Sequence, residues 1–154
     1  MTILNSPEET FAYGKKLAAK LKGGDILLLS GELGAGKTSL VKGIAAGLGI
    51  KHKITSPTFT LMNIYDVRNT KTTKIRKLVH IDTYRLKEEK SPYGGSPAGR
   101  ELLEIGVEDY LGQPDTVCAI EWPEKIANLL QGKKTIPVTL EHGREPNQRK
   151  IKIS

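Results

Sequence analysis

Apolar residues along this chain occur in two kinds of run. Ile26-Leu27-Leu28-Leu29 and Val117-Cys118-Ala119-Ile120 are short and uninterrupted, the form taken by strands buried on both faces of a sheet. Elsewhere the apolar positions recur at helical spacing. Leu40, Val41, Ile44, Ala45 and Leu48 share one face of a helix predicted from about Lys37 to Leu48, with Gly47 and Gly49 marking its end. Phe11, Leu17, Ala18 and Leu21 give a rougher face to a first helix, which the Ser6 and Glu9 capping-box spacing and Pro7 start near Ser6 and Gly23-Gly24 stops. Phe59 to Val67 and Thr73 to Asp82 flank the polar turn 68–72 and predict an antiparallel hairpin. Further strands are expected over Asp25 to Ser30, Val117 to Trp122, Val138 to His142 and Arg149 to Ile153, and further helices over Arg100 to Leu111 and Lys125 to Leu130. Lys87 to Gly99, rich in Pro, Gly and Ser, reads as a long mobile loop. A strand–helix unit followed by hairpins implies a single domain over residues 1–154, an α/β fold with three α/β/α layers and a mixed sheet.

Between the first buried strand and the second helix lies Gly31-Glu32-Leu33-Gly34-Ala35-Gly36-Lys37-Thr38, a full match to G-x-x-x-x-G-K-[ST]. Such glycines let successive backbone N–H groups curl around a phosphate, and the following helix turns its positive end to the same anion. Lys37 can reach β- and γ-phosphates and Thr38 can ligate Mg²⁺. The competing reading is a chance match on a Gly-rich turn. The strand before and the amphipathic helix after supply the context that separates the two, and they make the fold P-loop NTPase-like. The expected cofactors are a nucleoside triphosphate, ATP, with Mg²⁺. The residues expected to bind it include Glu32, Leu33, Gly34, Ala35, Gly36, Lys37, Thr38 and Ser39.

Phosphoryl chemistry needs a second acidic metal partner and a group to place the attacking water. Asp82, after Leu78-Val79-His80-Ile81, and Glu121, after Val117-Cys118-Ala119-Ile120, both end apolar strands, where ligands bind in open α/β sheets. Together with Thr38 they are the metal candidates, and with Thr58 the catalytic ones. Thr58, within Thr55-Ser56-Pro57-Thr58-Phe59, is either a switch-type sensor of the γ-phosphate or a simple turn. His80 is read as structural, Arg85 as a phosphate contact or the partner of an acid, and Trp122 as packing near a base or a partner, or half-buried in the core.

Composition narrows the setting. The formal net charge is +7, which favours polyanionic partners or a solvated basic surface in equal measure. The densest basic patch is Lys71, Lys74, Arg76 and Lys77, near the hairpin turn; aromatics, at 5%, show no RNA-stacking pattern. Hydrophobic residues make up 38% and no run reaches the ~20 residues of a membrane span. Cys118 is the only cysteine, which excludes an internal disulfide. No membrane association and a cytoplasmic location are expected.

The ordered series Gly31–Thr38, Ser56-Pro57-Thr58-Phe59-Thr60-Leu61, His80-Ile81-Asp82-Thr83-Tyr84-Arg85-Leu86, Glu104-Ile105-Gly106-Val107-Glu108-Asp109-Tyr110 and Ile120-Glu121-Trp122-Pro123 resembles the bacterial TsaE family from about Ser6 to Lys125. The resemblance implies ATP binding, slow ATP hydrolysis, and work with TsaD and TsaB in making threonylcarbamoyladenosine in tRNA, with tRNA itself met indirectly or weakly. It assigns phosphate and Mg²⁺ to Lys37 and Thr38, a switch-like segment to Thr58, hydrolysis to Asp82, the Mg²⁺-side acid to Glu121, and the adenine to the region of Glu9-Thr10. The chain departs from the family pattern in a longer loop over Glu88 to Gly99 and in a weakly matched C-terminus. Readings from other classes are a small-molecule or nucleotide kinase, a GTPase-like switch, and a plain RNA-binding module. The guanine motif Asn-Lys-x-Asp is absent, and an RNA-binding module leaves the phosphate loop unexplained.

Overall fold

The computed structural model describes residues 1–68, 71, 73–86 and 97–154. Its elements, in chain order, are β1 (Thr2–Leu4), α1 (Pro7–Ala18), β2 (Ile26–Ser30), α2 (Lys37–Gly47), β3 (Met62–Asp66), β4 (Lys77–Asp82), α3 (Pro97–Glu104), β5 (Thr116–Glu121), α4 (Ala127–Leu130), β6 (Thr135–His142) and β7 (Arg149–Ile153). Short 3₁₀ segments cover Val107–Asp109 and Pro123–Ile126.

The strands form one sheet in the order β1-β7-β6-β2-β5-β4-β3. β2 runs parallel to both β5 and β6, and β4 parallel to β5, while β1, β3 and β7 join antiparallel. The sheet is therefore mixed, as expected. Alternate residues of its central strands feed opposite faces. Leu27, Leu29, Leu78, Val117 and Ala119 pack under α1 and α2 with Leu40, Ile44 and Leu17. Ile26, Val79, Ile81, Cys118 and Ile120 pack on the other face with Leu102, Val107, Leu111 and Ile126. Each such fully buried aliphatic side chain contributes about 1.5–3 kcal/mol relative to an exposed one. The two layers explain why β2 and β5 read as continuous apolar runs. Burial pushes the Cys118 thiol up to about 12, so it is held as the neutral thiol.

Several expected boundaries shift for physical reasons. Ser6 caps α1, its Oγ accepting from the Glu9 amide at 3.1 Å, while Glu9 Oε2 reaches past Ser6 to accept from the Asn5 amide at 2.7 Å. The helix stops at Ala18, before the Gly23-Gly24 pair. Phe11 is 39% exposed and is not a core residue. The buried face of α1 is instead Thr10, Gly14, Leu17 and Ala18, because α1 lies against α2 backbone to backbone. A Cβ on Gly14 would sit 2.4 Å from the Leu40 carbonyl oxygen, and one on Gly43 would sit 2.1 Å from that of Phe11. Gly43→Ala is expected to lower stability by about 1–3 kcal/mol through overpacking, read as a fall in the thermal midpoint.

Both hairpin strands are shorter than expected, Met62–Asp66 and Lys77–Asp82, with the pairing of Asp66 with Lys77 closing the ladder. Phe59 is 85% exposed and lies outside β3. Residues 69, 70 and 72 of the predicted turn, and 87–96 of the predicted mobile loop, lie outside the described residues. The remainder of that loop is already helical, since α3 starts at Pro97. β6 starts at Thr135, three residues before the expected Val138, because it pairs with the full length of β2. The short β1 pairs with β7 and has no counterpart among the expected elements. Among the described residues, no helix is long and apolar enough to cross a membrane.

Candidate functional site

β2, β4, β5 and β6 are parallel, so their C-terminal ends lie at one edge of the sheet. There the loop 31–36, Asp82 and Glu121 come together around a cleft of about 260 Å³. The loop and the start of α2 line it with residues 33–39, and Ser56, Thr58, Asp82, Tyr84, Glu121 and Trp122 complete its walls.

The turn from β2 into α2 is built on glycine. Gly31 has φ 149° and a Cβ there would lie 2.2 Å from the Leu140 carbonyl oxygen; Gly36, at φ 97°, is the left-handed residue that opens α2. No side chain caps α2, and its first backbone bond runs from the Leu40 amide to the Gly36 carbonyl. The amides of Lys37, Thr38 and Ser39 therefore form a positive helix end facing the cleft.

Lys37 is 4% exposed. Its Nζ donates to the carbonyl oxygens of Gly31 at 2.5 Å and Glu32 at 2.9 Å, and lies 4.1 Å from the centre of the Trp122 ring. Burial lowers its pKa from the ordinary lysine value, and the carboxylates of Glu121, Asp82 and Glu124 oppose that shift. An ammonium held by neutral oxygens and a ring face, beside acids it does not touch, is poised to accept a stronger anionic partner.

Two carboxylates face this cation. Glu121 Oε1 accepts from Thr38 Oγ1 at 2.8 Å, tying the end of β5 to the start of α2. The same oxygen lies 2.8 Å from His80 Nε2. Because a carboxylate only accepts, His80 Nε2 carries the hydrogen; His80 Nδ1 is buried with no hydrogen-bond partner among the described residues. Asp82 Oδ2 accepts from Thr58 Oγ1 at 3.0 Å and Ser56 Oγ at 3.3 Å, and Asp82 Oδ1 accepts from the Tyr84 amide at 2.8 Å. Asp82 is thus the anchor of the segment carrying Thr58.

The other expected site residues fall as follows. Glu32 lies outside the cleft and contributes its carbonyl to Lys37. Thr10, 1% exposed, stands behind the loop, its methyl 3.6 Å from where a Gly36 Cβ would be. The Arg85 guanidinium donates to the carbonyls of Thr58 and Phe59 at 2.7 Å each, pinning the same segment that Asp82 holds, and no ion pair joins it to an acid among the described residues. Trp122 forms a wall of the cleft, ring to ring with Tyr84 at 5.1 Å between centroids. Its backbone is left-handed, φ 60° and ψ 48°, a strained state for a non-glycine residue. Thr83 Oγ1 holds that strain in place by donating to the Trp122 carbonyl at 2.6 Å.

Sequence reasoning missed the outer clamp of the loop. Arg149 Nη2 donates to the Gly34 carbonyl at 3.0 Å, and His142 Nε2 lies 3.3 Å from that of Leu33. These contacts span more than a hundred residues and no local pattern signals them. His80 was read as structural; its contact with Glu121 places it directly behind the site.

The strand–loop–helix unit at the edge of a mixed parallel core makes this a P-loop-like α/β protein, with its acids on the neighbouring strand ends. Comparison with known proteins narrows the class. The family model described as "Threonylcarbamoyl adenosine biosynthesis protein TsaE" matches residues 4–151. The chain is 39% identical over 126 residues to the tRNA threonylcarbamoyladenosine biosynthesis protein TsaE of Bacillus subtilis, covering 81% of this chain and 67% of that protein. It is 36% identical over 138 residues to the Treponema pallidum TsaE, covering 90% and 88%. A crystal structure of Bacillus subtilis YdiB superposes with a TM-score of 0.70 at 31% identity, over 97% of this chain and 80% of that one. This chain belongs to the TsaE family, whose members are named for threonylcarbamoyladenosine biosynthesis in tRNA. The match runs through β6 and ends within β7, at residue 151.

Proposed function

We propose that this protein binds Mg²⁺–ATP in the loop Gly31–Thr38, hydrolyses it slowly, and does so as the ATPase partner of TsaD and TsaB in tRNA threonylcarbamoyladenosine synthesis in the cytoplasm. The observation that carries the proposal is one cleft holding Lys37, the uncapped start of α2, and the Thr38–Glu121 pair 2.8 Å apart. The donor set suits a metal–triphosphate. Backbone amides and one ammonium meet the anion, while a hydroxyl and a carboxylate would hold the cation, the remaining ligands being phosphate oxygens and water. Consistent with so hydrated an ion, the described residues contain no cluster of three or more His, Cys, Asp or Glu side chains that could hold a metal alone.

Mg²⁺–ATP, when bound, would supply the phosphoanhydride bond and a cation to offset the charge of its phosphates. The protein's own residues do the rest. Lys37, held in the free protein by the carbonyls of Gly31 and Glu32, would turn its ammonium to the phosphate. Glu121, steadied by His80, keeps Thr38 Oγ1 in place. Asp82 holds Ser56 and Thr58 at the far wall, with lone pairs in reserve for a water. Arg85, spent on the carbonyls of Thr58 and Phe59, is withheld from phosphate, and no arginine lines the cleft among the described residues. Turnover by the isolated chain is accordingly slow, and partners raise it.

The test is a pull-down with the TsaD–TsaB pair, with and without ATP. Nucleotide-dependent binding that Lys37→Ala removes supports the reading; binding unaffected by either speaks against it. The role of His80 has its own check. His80→Leu, which removes the donor to Glu121, is expected to lower kcat about 10- to 100-fold with little change in KM. His80→Gln, which keeps an N–H donor, is expected to recover most of that loss. Equal kcat in the two variants would remove His80 from the mechanism.

A further inference from the structure

The end of the molecule opposite the phosphate loop has a charge of its own. Because β2, β4, β5 and β6 are parallel, the turns leading into Ile26, Lys77, Thr116 and Thr135 gather there. Lys20 and Lys22, after α1, are exposed at this end, as are Lys51 and Lys53, after α2. The hairpin adds exposed Arg68, Lys71, Lys74 and Arg76, and the approach to β6 adds exposed Lys133 and Lys134. The acids of these turns are Asp25, Asp66 and Asp115. Asp66 pairs with Lys77 at 3.0 Å, and Asp25 is turned onto the Lys22 amide at 2.8 Å. No ion pair among the described residues engages the exposed lysines of this end. Glu32, Asp82, Glu121, Glu124 and Glu141 lie instead at or beside the strand ends of the phosphate-loop edge.

We propose that this basic end is an RNA-binding face that grips a phosphate backbone without reading bases. From the turn before β6 to the β3–β4 hairpin is four strand spacings, about 19 Å at 4.8 Å per step. That is wide for one phosphate and suits several in succession. A membrane surface fits less well, because shallow insertion needs an apolar anchor and, among the described residues, the exposed aromatics Phe11, Phe59 and Tyr84 lie away from these turns, leaving Met1 and Ile153 as the exposed large apolar side chains of this end. Nor do the described residues offer an exposed aromatic platform for unstacked bases at this end, so the fit is to folded RNA held by charge. The choice of RNA among polyanions rests on the proposed role in tRNA modification; the surface itself does not depend on nucleotide binding at the other end. The face leaves the phosphate loop open while RNA is held.

The test is fluorescence anisotropy of an unmodified tRNA transcript with the full chain. Parallel titrations use polyglutamate of matched charge and phosphatidylserine-containing vesicles, and ATP affinity is measured on the same samples. The parental protein is expected to bind the transcript with a steep salt dependence. Lys51→Glu/Lys53→Glu and Lys133→Glu/Lys134→Glu are each expected to weaken binding at least tenfold and to flatten the salt slope by about 2, with ATP affinity unchanged. Arg144→Glu/Lys150→Glu, toward the phosphate-loop edge, is expected to bind the transcript within about twofold of the parent. The proposal is overturned if the parent does not bind the transcript, if both basic-end pairs bind as the parent does, if the control pair loses as much, or if polyglutamate or vesicles bind as tightly as RNA. Failure of ATP binding alone, with the RNA results as expected, would strike the proposed function and leave this face standing.

Discussion

Lys37→Ala is expected to weaken ATP binding by roughly 100-fold, on the order of 2.7 kcal/mol, as measured by calorimetry at fixed Mg²⁺. Two losses combine. The variant removes the charge-assisted contacts to the triphosphate, and it exposes the anion to Glu121 and Asp82 without the cation that stands between them. Stability is measured on the same samples, because the truncation also leaves the Gly31 and Glu32 carbonyls without their donor and the Trp122 face without its cation. Burial already lowers the pKa of this ammonium, so its removal relieves a desolvation cost. A variant as stable as the parent but with parental ATP affinity would detach the loop from nucleotide binding.

Glu121→Gln and Asp82→Asn are expected to act on turnover and not on binding, with kcat falling roughly 100- to 1,000-fold in the presence of partners and ATP affinity staying within about tenfold. The glutamine variant is the cleaner of the two. Its Oε1 can still accept from Thr38 and His80, so the wiring of the site survives while the negative charge is lost. Asp82→Asn changes more, because Asp82 accepts from Ser56, Thr58 and the Tyr84 amide at once. An amide there has one acceptor oxygen; with it kept on the Tyr84 amide, the NH₂ meets Ser56 and Thr58, whose hydroxyls must turn from donors to acceptors, which rewires the Thr58 segment that Arg85 also holds. Single-turnover kinetics with the partner pair would separate the two effects. Parental turnover in both variants would remove these acids from the chemistry.

The parts of this structure that were legible in the sequence are those governed by short-range rules. The phosphate loop, the buried β2 and the α2 face could be read because glycine positions, apolar runs and helical spacing act within a dozen residues. The acids Asp82 and Glu121 could be placed at strand ends for the same reason. Phe11 was misread because burial on α1 is decided by Gly14 and Gly43, whose missing side chains bring two helices too close to leave room for a large residue between them. The hold of Arg85 on the Thr58 and Phe59 carbonyls was not legible, because carbonyl oxygens have no signature in a sequence. The clamp of Arg149 on Gly34 and the contact of His80 with Glu121 depend on β-register, where a strand finds its neighbour across tens of residues. The three-residue β1 is too short to carry a pattern and exists because β7 offers it an edge.

A crystal structure of the protein grown with excess Mg²⁺ and a non-hydrolysable ATP analogue tests the central claim most directly. The account predicts the β- and γ-phosphates within the curl of residues 33–38, Lys37 Nζ moved from the Gly31 and Glu32 carbonyls onto phosphate oxygens, and the metal beside Thr38 Oγ1. A loop left empty at saturating analogue, or an analogue bound elsewhere with Lys37 still on those carbonyls, would contradict it.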